Sequence, residues 1–402
     1  AGSGKTKVLT HRIAYLISQC VKPENILAVT FTNKAAGEMK ERVAKLLGLK
    51  DVKNLWIGTF HSICARVLWR EITALGYERN FSIYDTYDQT QLIKEIEKEL
   101  GYDEKQLNPR VVASRISSAK NEMITPEVYR STYANSFIEE RVAEIYIKYQ
   151  NKLKSSNALD FDDLILKFIE LMDLFPALQE KYQKLFQYIL VDEYQDTNKS
   201  QYTVIKMMVG NPSAGSGQEN ICVVGDPDQS IYNFRGADIR NILNFEKDYP
   251  NTKIFLLEEN YRSTKNILDA AQKLIENNTL RKDKKLKTSN DDGDPIIIFQ
   301  AFNEREEGEY IVSQIDQILK SDKKTSLNDI VVFYRTHAQS RALEETFLNF
   351  SLPYRIIGGV GFYDRKEIKD LLGYLRIISN PADFVSLKRI INVPARGIGD
   401  VA

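Results

Sequence analysis

Cysteine is scarce in this chain. Cys20, Cys64 and Cys222 are the only three in 402 residues, widely spaced and without a CxxC pair, which excludes a disulfide scaffold and gives no ligand set for structural zinc. A sparse, odd-numbered set fits a reducing compartment, and all three are expected to be core thiols. Histidine is equally rare, and His11, His61 and His337 are too dispersed for a metal centre. Charge of one sign is absent too: 55 Lys+Arg balance 55 Asp+Glu, so nucleic-acid binding would have to rest on local patches rather than a global basic field. No apolar run approaches the roughly 18 to 20 residues of a membrane span, and no charged-then-apolar leader opens the chain. These absences predict a cytoplasmic protein without membrane partners. What is present, 43% hydrophobic and 27% charged residues, is a globular composition, enough for two to three domains at about 150 residues each.

The chain opens on Ala1-Gly2-Ser3-Gly4-Lys5-Thr6, the latter part of a phosphate-binding loop. Such a loop follows a strand and leads into a helix, whose N-terminal N–H groups face the phosphates. Here the strand and the loop's first two positions are missing, and the sequence is expected to be a piece of a longer protein.

Hydrophobic periodicity predicts a helix from Val8 to Cys20, a strand at Ile26–Thr30, a helix through Leu47, a strand at Leu55–Thr59 and a helix from about His61. From roughly 85 to 185 there is almost no strand signal; amphipathic stretches at 87–100, 108–120, 136–154 and 160–173 predict an all-helical insertion. Short apolar runs of the buried parallel kind return at Tyr188–Val191, Ile221–Val224 and Lys253–Leu257. Beyond a charged connection at 278–294, strand candidates Ile296–Phe299, Ile330–Phe333 and Tyr354–Ile357 alternate with helices at 305–320 and 338–350, and helical sequence runs from 365 to 392. The loop 210–220 is flexible by composition. The fold class is therefore α/β.

Gly4-Lys5-Thr6 and the pair Asp192-Glu193, which directly follows an apolar strand, carry the strongest chemistry. Lys5 is expected to neutralise the β- and γ-phosphates of a nucleotide, Thr6 and Asp192 to hold Mg²⁺, and Glu193 to orient and deprotonate an attacking water. Asp160, Asp162 and Asp163 in ALDFDDL read as a helix-start cluster, and the lysine-rich run 281–287 as a solvated loop.

Seven stretches in order, AGSGKT, VTFTNKAAGEM (29–39), IGTFHS (57–62), ALDFDDL (158–164), ILVDEYQDTN (189–198), VVGDPDQSIYNFRGA (223–237) and LEENYRST (257–264), are similar to the motifs of one family. The chain resembles the UvrD/PcrA/Rep group of superfamily 1A DNA helicases. YRTHAQSRALEE (334–345), PYRIIGG (353–359) and NVPARGIG (392–399) resemble that group's second motor lobe and the entry to its mobile subdomain.

The resemblance implies a P-loop NTPase of two RecA-like parallel-sheet lobes with an all-helical insertion in the first. The implied division is 1–84 and 166–262 for the first lobe, 85–165 for the insertion, 263–362 for the second lobe and 363–402 for the start of the mobile subdomain. It implies an ATP-binding set of Gly2, Ser3, Gly4, Lys5, Thr6, Lys7, Tyr261 and Arg262, with Tyr261 on the base, Arg262 as an arginine finger and Gln229 sensing the γ-phosphate; Lys7 stands where relatives often carry arginine. It implies contacts to single-stranded DNA from Phe31, Thr32 and Asn33, from Thr59, Phe60 and His61, and from Tyr232, Phe234 and Arg235, with aromatic stacking rather than base-edge readout. Phe234 stands where many relatives have tryptophan. The implied activity is ATP-driven 3′ to 5′ translocation and unwinding in DNA repair or replication, at single-strand/duplex junctions and with accessory proteins, in the cytoplasm and on the nucleoid. The 402 residues alone are expected to hydrolyse ATP poorly. A subunit of a RecB- or AddA-like helicase–nuclease, or a translocase that strips proteins from DNA, are the alternatives.

Overall fold

The run Ile26–Thr30 (ILAVT) is aliphatic and β-branched with every residue buried, the pattern of a strand covered on both faces. In a computed structural model, which describes all residues except 50–51, 53, 103–106, 211–219, 279–283, 358–364 and 399–402, this run is β1, the second strand of a four-stranded parallel sheet. Its partners are β2 (Trp56–Thr59), β5 (Tyr188–Val191) and β6 (Ile221–Val223), in the order β2-β1-β5-β6. Alternate residues serve opposite faces. Leu27, Val29, Trp56, Ile189 and Val191 join one core, and Ile26, Ala28, Ile57 and Leu190 the other. Helices α1 (Lys5–Ser18) and α2 (Asn33–Leu47) cover the second face, and α3 (Phe60–Glu71) covers the first.

Two three-residue strands, β3 (Ser82–Tyr84) and β4 (Ala158–Asp160), pair in parallel with Tyr84 opposite Asp160. They close the neck of an insertion made of α4 (Thr86–Leu100), α5 (Pro109–Asn121), α6 (Pro126–Thr132) and α7 (Phe137–Ser155), which has its own core around Ile96, Ile116, Tyr146 and Tyr149. β4 lies where the sequence carries no strand signal, because three residues show no period. After the neck, α8 (Phe161–Leu174) returns its apolar face, Leu164, Ile165, Phe168 and Met172, to the first core. α9 (Pro176–Leu185), α10 (Lys199–Val209) and the short α11 (Arg240–Leu243) and α12 (Phe245–Asp248) follow, then α13 (Lys265–Ile275).

The chain divides into two compact units, Ala1–Gly293 with Asp370–Ala402, and Asp294–Lys369. In the second, α14 (Glu304–Ser321) packs on α15 (Ser340–Asn349), close enough that a Cβ on Gly308 would lie 2.6 Å from the Thr346 hydroxyl. The runs Ile296–Phe299, Ile330–Phe333 and Tyr354–Ile357, expected as strands, form no ladder among the described residues, nor does Lys253–Leu257 in the first unit. A strand needs a partner and a covered face; Ile298 is 94% exposed and Phe333 89% exposed. Helix α16 (Lys366–Ser379) and α17 (Phe384–Ile390) complete the chain; their residues from Asp370 onward belong to the first unit, where Val385 enters the insertion core. The loop read at 210–220, Arg281, Lys282 and Asp283 of the lysine-rich run, Gly358 and Gly359 of PYRIIGG and Gly399 lie, at least in part, outside the described residues. Among the described residues no helix is long and apolar enough to cross a membrane. Cys64 is buried and Cys222 half-buried, but Cys20, expected in the core, is exposed in the turn after α1 with φ of 63°.

Candidate functional site

All four strands of the sheet deliver their chemistry at the same end, because every strand is parallel and each motif follows its strand's carboxyl terminus. Phe31-Thr32-Asn33 follow β1, Phe60-His61 follow β2, Asp192-Glu193 follow β5, and Gly225-Asp226 follow β6.

Gly4 caps α1 in the left-handed conformation, φ 84°, with no side-chain cap bond, so the first N–H groups of the helix face outward from the loop. The Thr6 hydroxyl donates to Asp192 Oδ2 at 3.0 Å. Two oxygens at that separation, one of them a buried carboxylate, match the donor set a hard divalent cation takes. Burial raises the Asp192 pKa, and the adjacent Glu193 charge raises it further against the Thr6 hydrogen bond. Glu193 stands at φ 48°, a conformation uncommon outside glycine. The buried Gln195 amide donates to Glu193 Oε2 at 3.0 Å and accepts from the Asp226 N–H at 2.9 Å, tying β5's turn to that of β6. A Cβ on Gly225 would meet Gln195 Oε1 at 2.8 Å, so a larger residue there would push on the Gln195 amide. Asp196 is pushed up to about 6 by burial and by Glu193.

Asp226 collects the cations of the site. Lys5 Nζ lies 3.8 Å from Oδ2, Lys284 pairs with Oδ1, and the Gln229 amide donates to Oδ2. Burial opposes the charge, yet Lys284, Gln229 and Lys5 together hold the carboxyl far below its ordinary value. Lys284 also reaches Asp228 at 3.1 Å. The lysine run is thus not simply solvated: one of its members enters the cleft, a placement that the run's composition could not signal.

Asn260, almost fully buried, sets the last group. Its amide donates to the Ala1 carbonyl at 2.6 Å and its Oδ1 accepts from the N–H groups of Arg262 and Ser263, while Tyr261 N–H donates to the Gly2 carbonyl at 3.0 Å. A Cβ on Gly2 would come within 2.7 Å of Arg262 Cβ. Tyr261 and Arg262 therefore have their backbones against the loop and their side chains exposed. Ser3 lies in the same loop and Lys7 is exposed on the first turn of α1. Gln195, Asn260 and Lys284 were not singled out by sequence reasoning, although the first two lie inside quoted motifs.

The expected strand-binding residues fall into separate groups. Tyr232 and Phe234 are exposed, Phe234 at 73%, with ring centroids 6.0 Å apart and the Arg235 guanidinium 5.6 Å from each. Phe31 is half-buried and edge-on to Phe60 at 5.9 Å. Phe60 corrects the expectation of a stacking platform: at 2% exposure it belongs to the core beneath Phe31. Thr32 caps α2 and Thr59 caps α3, each hydroxyl accepting a backbone N–H, while Asn33 is exposed on α2's first turn. His61 is half-buried with its ring 5.9 Å from Phe161, and burial lowers its pKa.

The aspartates of ALDFDDL do cap α8, Asp160 and Asp163 forming a capping box. They also bind the fully buried Lys120 at 2.7 and 2.8 Å, a contact 40 and 43 residues distant that no local pattern reveals.

Residues 1–250 match a family model described as the UvrD/REP helicase N-terminal domain, and residues 255–402 match the UvrD-like helicase C-terminal domain. The chain is 54% identical over 400 residues to an ATP-dependent DNA helicase PcrA of Bacillus subtilis, covering 99% of this chain and 53% of the relative. It is 54% identical to the protein of that description from Staphylococcus epidermidis and 52% identical to that from Staphylococcus aureus, over 99% of this chain and 54% and 53% of the relatives. The chain spans about half the length of the curated relatives it matches.

Proposed function

The chain belongs to the UvrD/Rep helicase family, and on that footing we propose that it is the motor portion of an ATP-dependent DNA helicase that translocates 3′ to 5′ on single-stranded DNA and unwinds duplexes at single-strand/duplex junctions in DNA repair or replication. The observation that carries the reading is the Thr6–Asp192 contact, with Glu193 next to it and Lys5 on Asp226 at the ends of parallel strands. Residues 1–84 and 166–262 act as the first motor lobe, 85–165 as its insertion, 263–362 as the second lobe and 363–402 as the start of the mobile subdomain.

ATP with Mg²⁺ supplies an activated phosphoanhydride and a cation to neutralise its developing charge. The N–H groups of the Gly2–Thr6 loop and Lys5 hold the phosphates, and Thr6 and Asp192 hold the cation. Glu193 accepts the proton of the attacking water, oriented by Gln195. Lys5 is already paired with Asp226, so phosphate binding exchanges one anion for another on the same ammonium. That exchange takes one cation from Asp226, whose Oδ2 also accepts from Gln229, linking the phosphate site to the loop that ends in Tyr232, Phe234 and Arg235. Arg262, its backbone fixed by Asn260, has an exposed guanidinium to bring to the γ-phosphate, and Tyr261 an exposed ring for the base, with Lys7 also assigned to the nucleotide.

Tyr232 and Phe234 offer two rings with a guanidinium beside both, a platform worth about 1–3 kcal/mol per stacked base and tolerant of sequence. Phe31, Thr32, Asn33, Thr59 and His61 line the neighbouring strand ends. The 402-residue chain alone, spanning about half the length of the relatives it matches, is expected to turn ATP over poorly. The direct test is strand displacement by the full-length protein on partial duplexes with a 3′ or a 5′ single-stranded tail. Displacement of the 3′-tailed substrate alone, lost in Glu193→Gln, is expected; equal or 5′-selective displacement contradicts the polarity, and none contradicts unwinding.

A further inference from the structure

We propose that Asn121, the last residue of α5, is a positioning residue through which the helical insertion holds the loop bearing Tyr232, Phe234 and Arg235; the inference rests on that loop's proposed role in strand binding. Asn198 Nδ2 donates to Asn121 Oδ1 at 2.6 Å, across 77 positions of sequence. The orientation of both amides is fixed by their other partners. Asn121 Nδ2 donates to the Ser117 carbonyl at 2.9 Å, and Asn198 Oδ1 accepts from Gln201 N–H at 2.9 Å and the Ser200 hydroxyl at 3.0 Å as the cap of α10. With Asn198 Oδ1 so engaged, its amide hydrogens are the group directed at Asn121.

On its other side Asn198 forms an antiparallel bridge with Ala237. Ala237 closes the turn that displays the aromatic residues: its N–H donates to the Tyr232 carbonyl at 3.3 Å, and those of Arg235 and Gly236 donate to Tyr232 and Asn233 at 2.8 Å. Gly236 holds φ 82°, and a Cβ there would lie 3.8 Å from Asn121 Cβ and 3.9 Å from Asn198 Cβ. The turn therefore rests on the two asparagines. Asn198 also sits two residues past Asp196 in the turn after β5, so one residue of the insertion touches the junction between the catalytic turn and the aromatic loop.

Asn121 is itself stiffly held. The preceding residue is Lys120, fully buried on Asp160 and Asp163 at the start of α8. Beyond it, Met123 Sδ accepts from the Thr203 hydroxyl at 3.4 Å. A rigid helix end whose amide reaches an exposed loop through Asn198 is an arrangement suited to preorganisation: the loop loses less freedom when a strand stacks on Tyr232 and Phe234.

The test uses the full-length protein and oligo(dT), reading ATP turnover against DNA concentration for wild type, Asn121→Ala, Phe234→Ala, the double variant and Ser118→Ala. Asn121→Ala is expected to raise the half-saturating DNA concentration about fivefold, the equivalent of one hydrogen bond of about 1 kcal/mol, with DNA-saturated turnover within about twofold. Because Asn121 acts through the loop, its effect shrinks below about twofold when Phe234 is already alanine. Ser118→Ala, exposed in the same last turn of α5, leaves the half-saturating concentration unchanged. If the alanine variant fails to fold, Asn121→Ser takes its place with the same expectations. Half-saturation equal to wild type, full additivity with Phe234→Ala, or an equal shift from Ser118→Ala overturns the inference while leaving the DNA-motor reading intact. Absence of DNA stimulation in wild type, or no effect of Phe234→Ala, overturns the reading of the loop and the inference with it.

Discussion

The Tyr84 hydroxyl donates to Asp383 Oδ1 at 2.8 Å with both side chains at 0% exposure, joining residues 299 positions apart. Tyr84 ends β3 at the neck of the insertion, and Asp383 caps α17, accepting from Ser386 N–H and hydroxyl. Asn380 adds bonds from its amide to the Ser82 hydroxyl and to the Ser156 and Asn157 carbonyls, and Arg376 pairs with Asp88 at 2.8 Å. Arg376, Asn380 and Asp383 of α16, α17 and the turn between them are thus joined to the insertion and its neck by a largely buried polar set.

Removing one member strands its partners. Asp383→Ala is expected to lower unfolding free energy by about 2–4 kcal/mol, since it leaves the Tyr84 hydroxyl and a helix cap unsatisfied. Tyr84→Phe removes the donor but leaves the carboxylate its other two partners, and should cost about 1 kcal/mol. Urea denaturation of the two variants beside wild type checks the order; equal losses would show that the Tyr84 bond, not the cap, carries the joint.

Two phenylalanines that the sequence motifs both pointed to for strand binding should fail in opposite ways. Phe60→Ala, a core truncation under Phe31, is expected to cost about 3–5 kcal/mol of stability. Phe234→Ala, on an exposed ring, should leave stability within about 0.5 kcal/mol and weaken single-stranded DNA binding by about 1–3 kcal/mol. Thermal melts and fluorescence-anisotropy titrations read both; a destabilised Phe234→Ala or a stable, binding-defective Phe60→Ala contradicts the assignment.

The insertion's neck should show a pH dependence. Burial and the neighbouring Asp160 charge push Asp162 up from 3.8 to about 7, against the Ser117 hydrogen bond and Lys120, and Asp163 is likewise raised to about 6. Folded Asp162 keeps its proton where the unfolded chain has lost it, so its contribution is fully present below about pH 4 and is lost as pH rises toward 7, with a slope of at most about 1.4 kcal/mol per pH unit. Asp160 works in the other direction, its pKa lowered because Lys120 outweighs burial. Asp162→Asn should therefore lose less stability than wild type between pH 5 and 7.5, measured by urea denaturation at each pH; an unchanged difference would remove Asp162 as the titrating group.

Much of this organisation was legible in the sequence because it is local. β1 and β5 are short runs of aliphatic residues between turns, and the amphipathic stretch read at 87–100 became α4, Thr86–Leu100. What was not legible depends on contacts between distant residues. β4 exists only because β3 lies alongside it, Lys120 looks like a surface residue until Asp160 and Asp163 fold over it, and Lys284 lies in a run whose composition reads as solvent-facing. Phe60 and Phe234 are alike as letters, and only burial separates them. The runs Ile296–Phe299 and Ile330–Phe333 have strand composition, but composition supplies no partner strand.

The central claim is that the cluster around Lys5, Thr6, Asp192 and Glu193 hydrolyses ATP under the control of a bound DNA strand. Steady-state ATP turnover by the full-length protein with and without single-stranded DNA, beside Glu193→Gln, tests it most directly. The account predicts strong stimulation by DNA in wild type and a loss of about 10²-fold or more in Glu193→Gln, which still binds nucleotide. Turnover indifferent to DNA, or undiminished in Glu193→Gln, would contradict it.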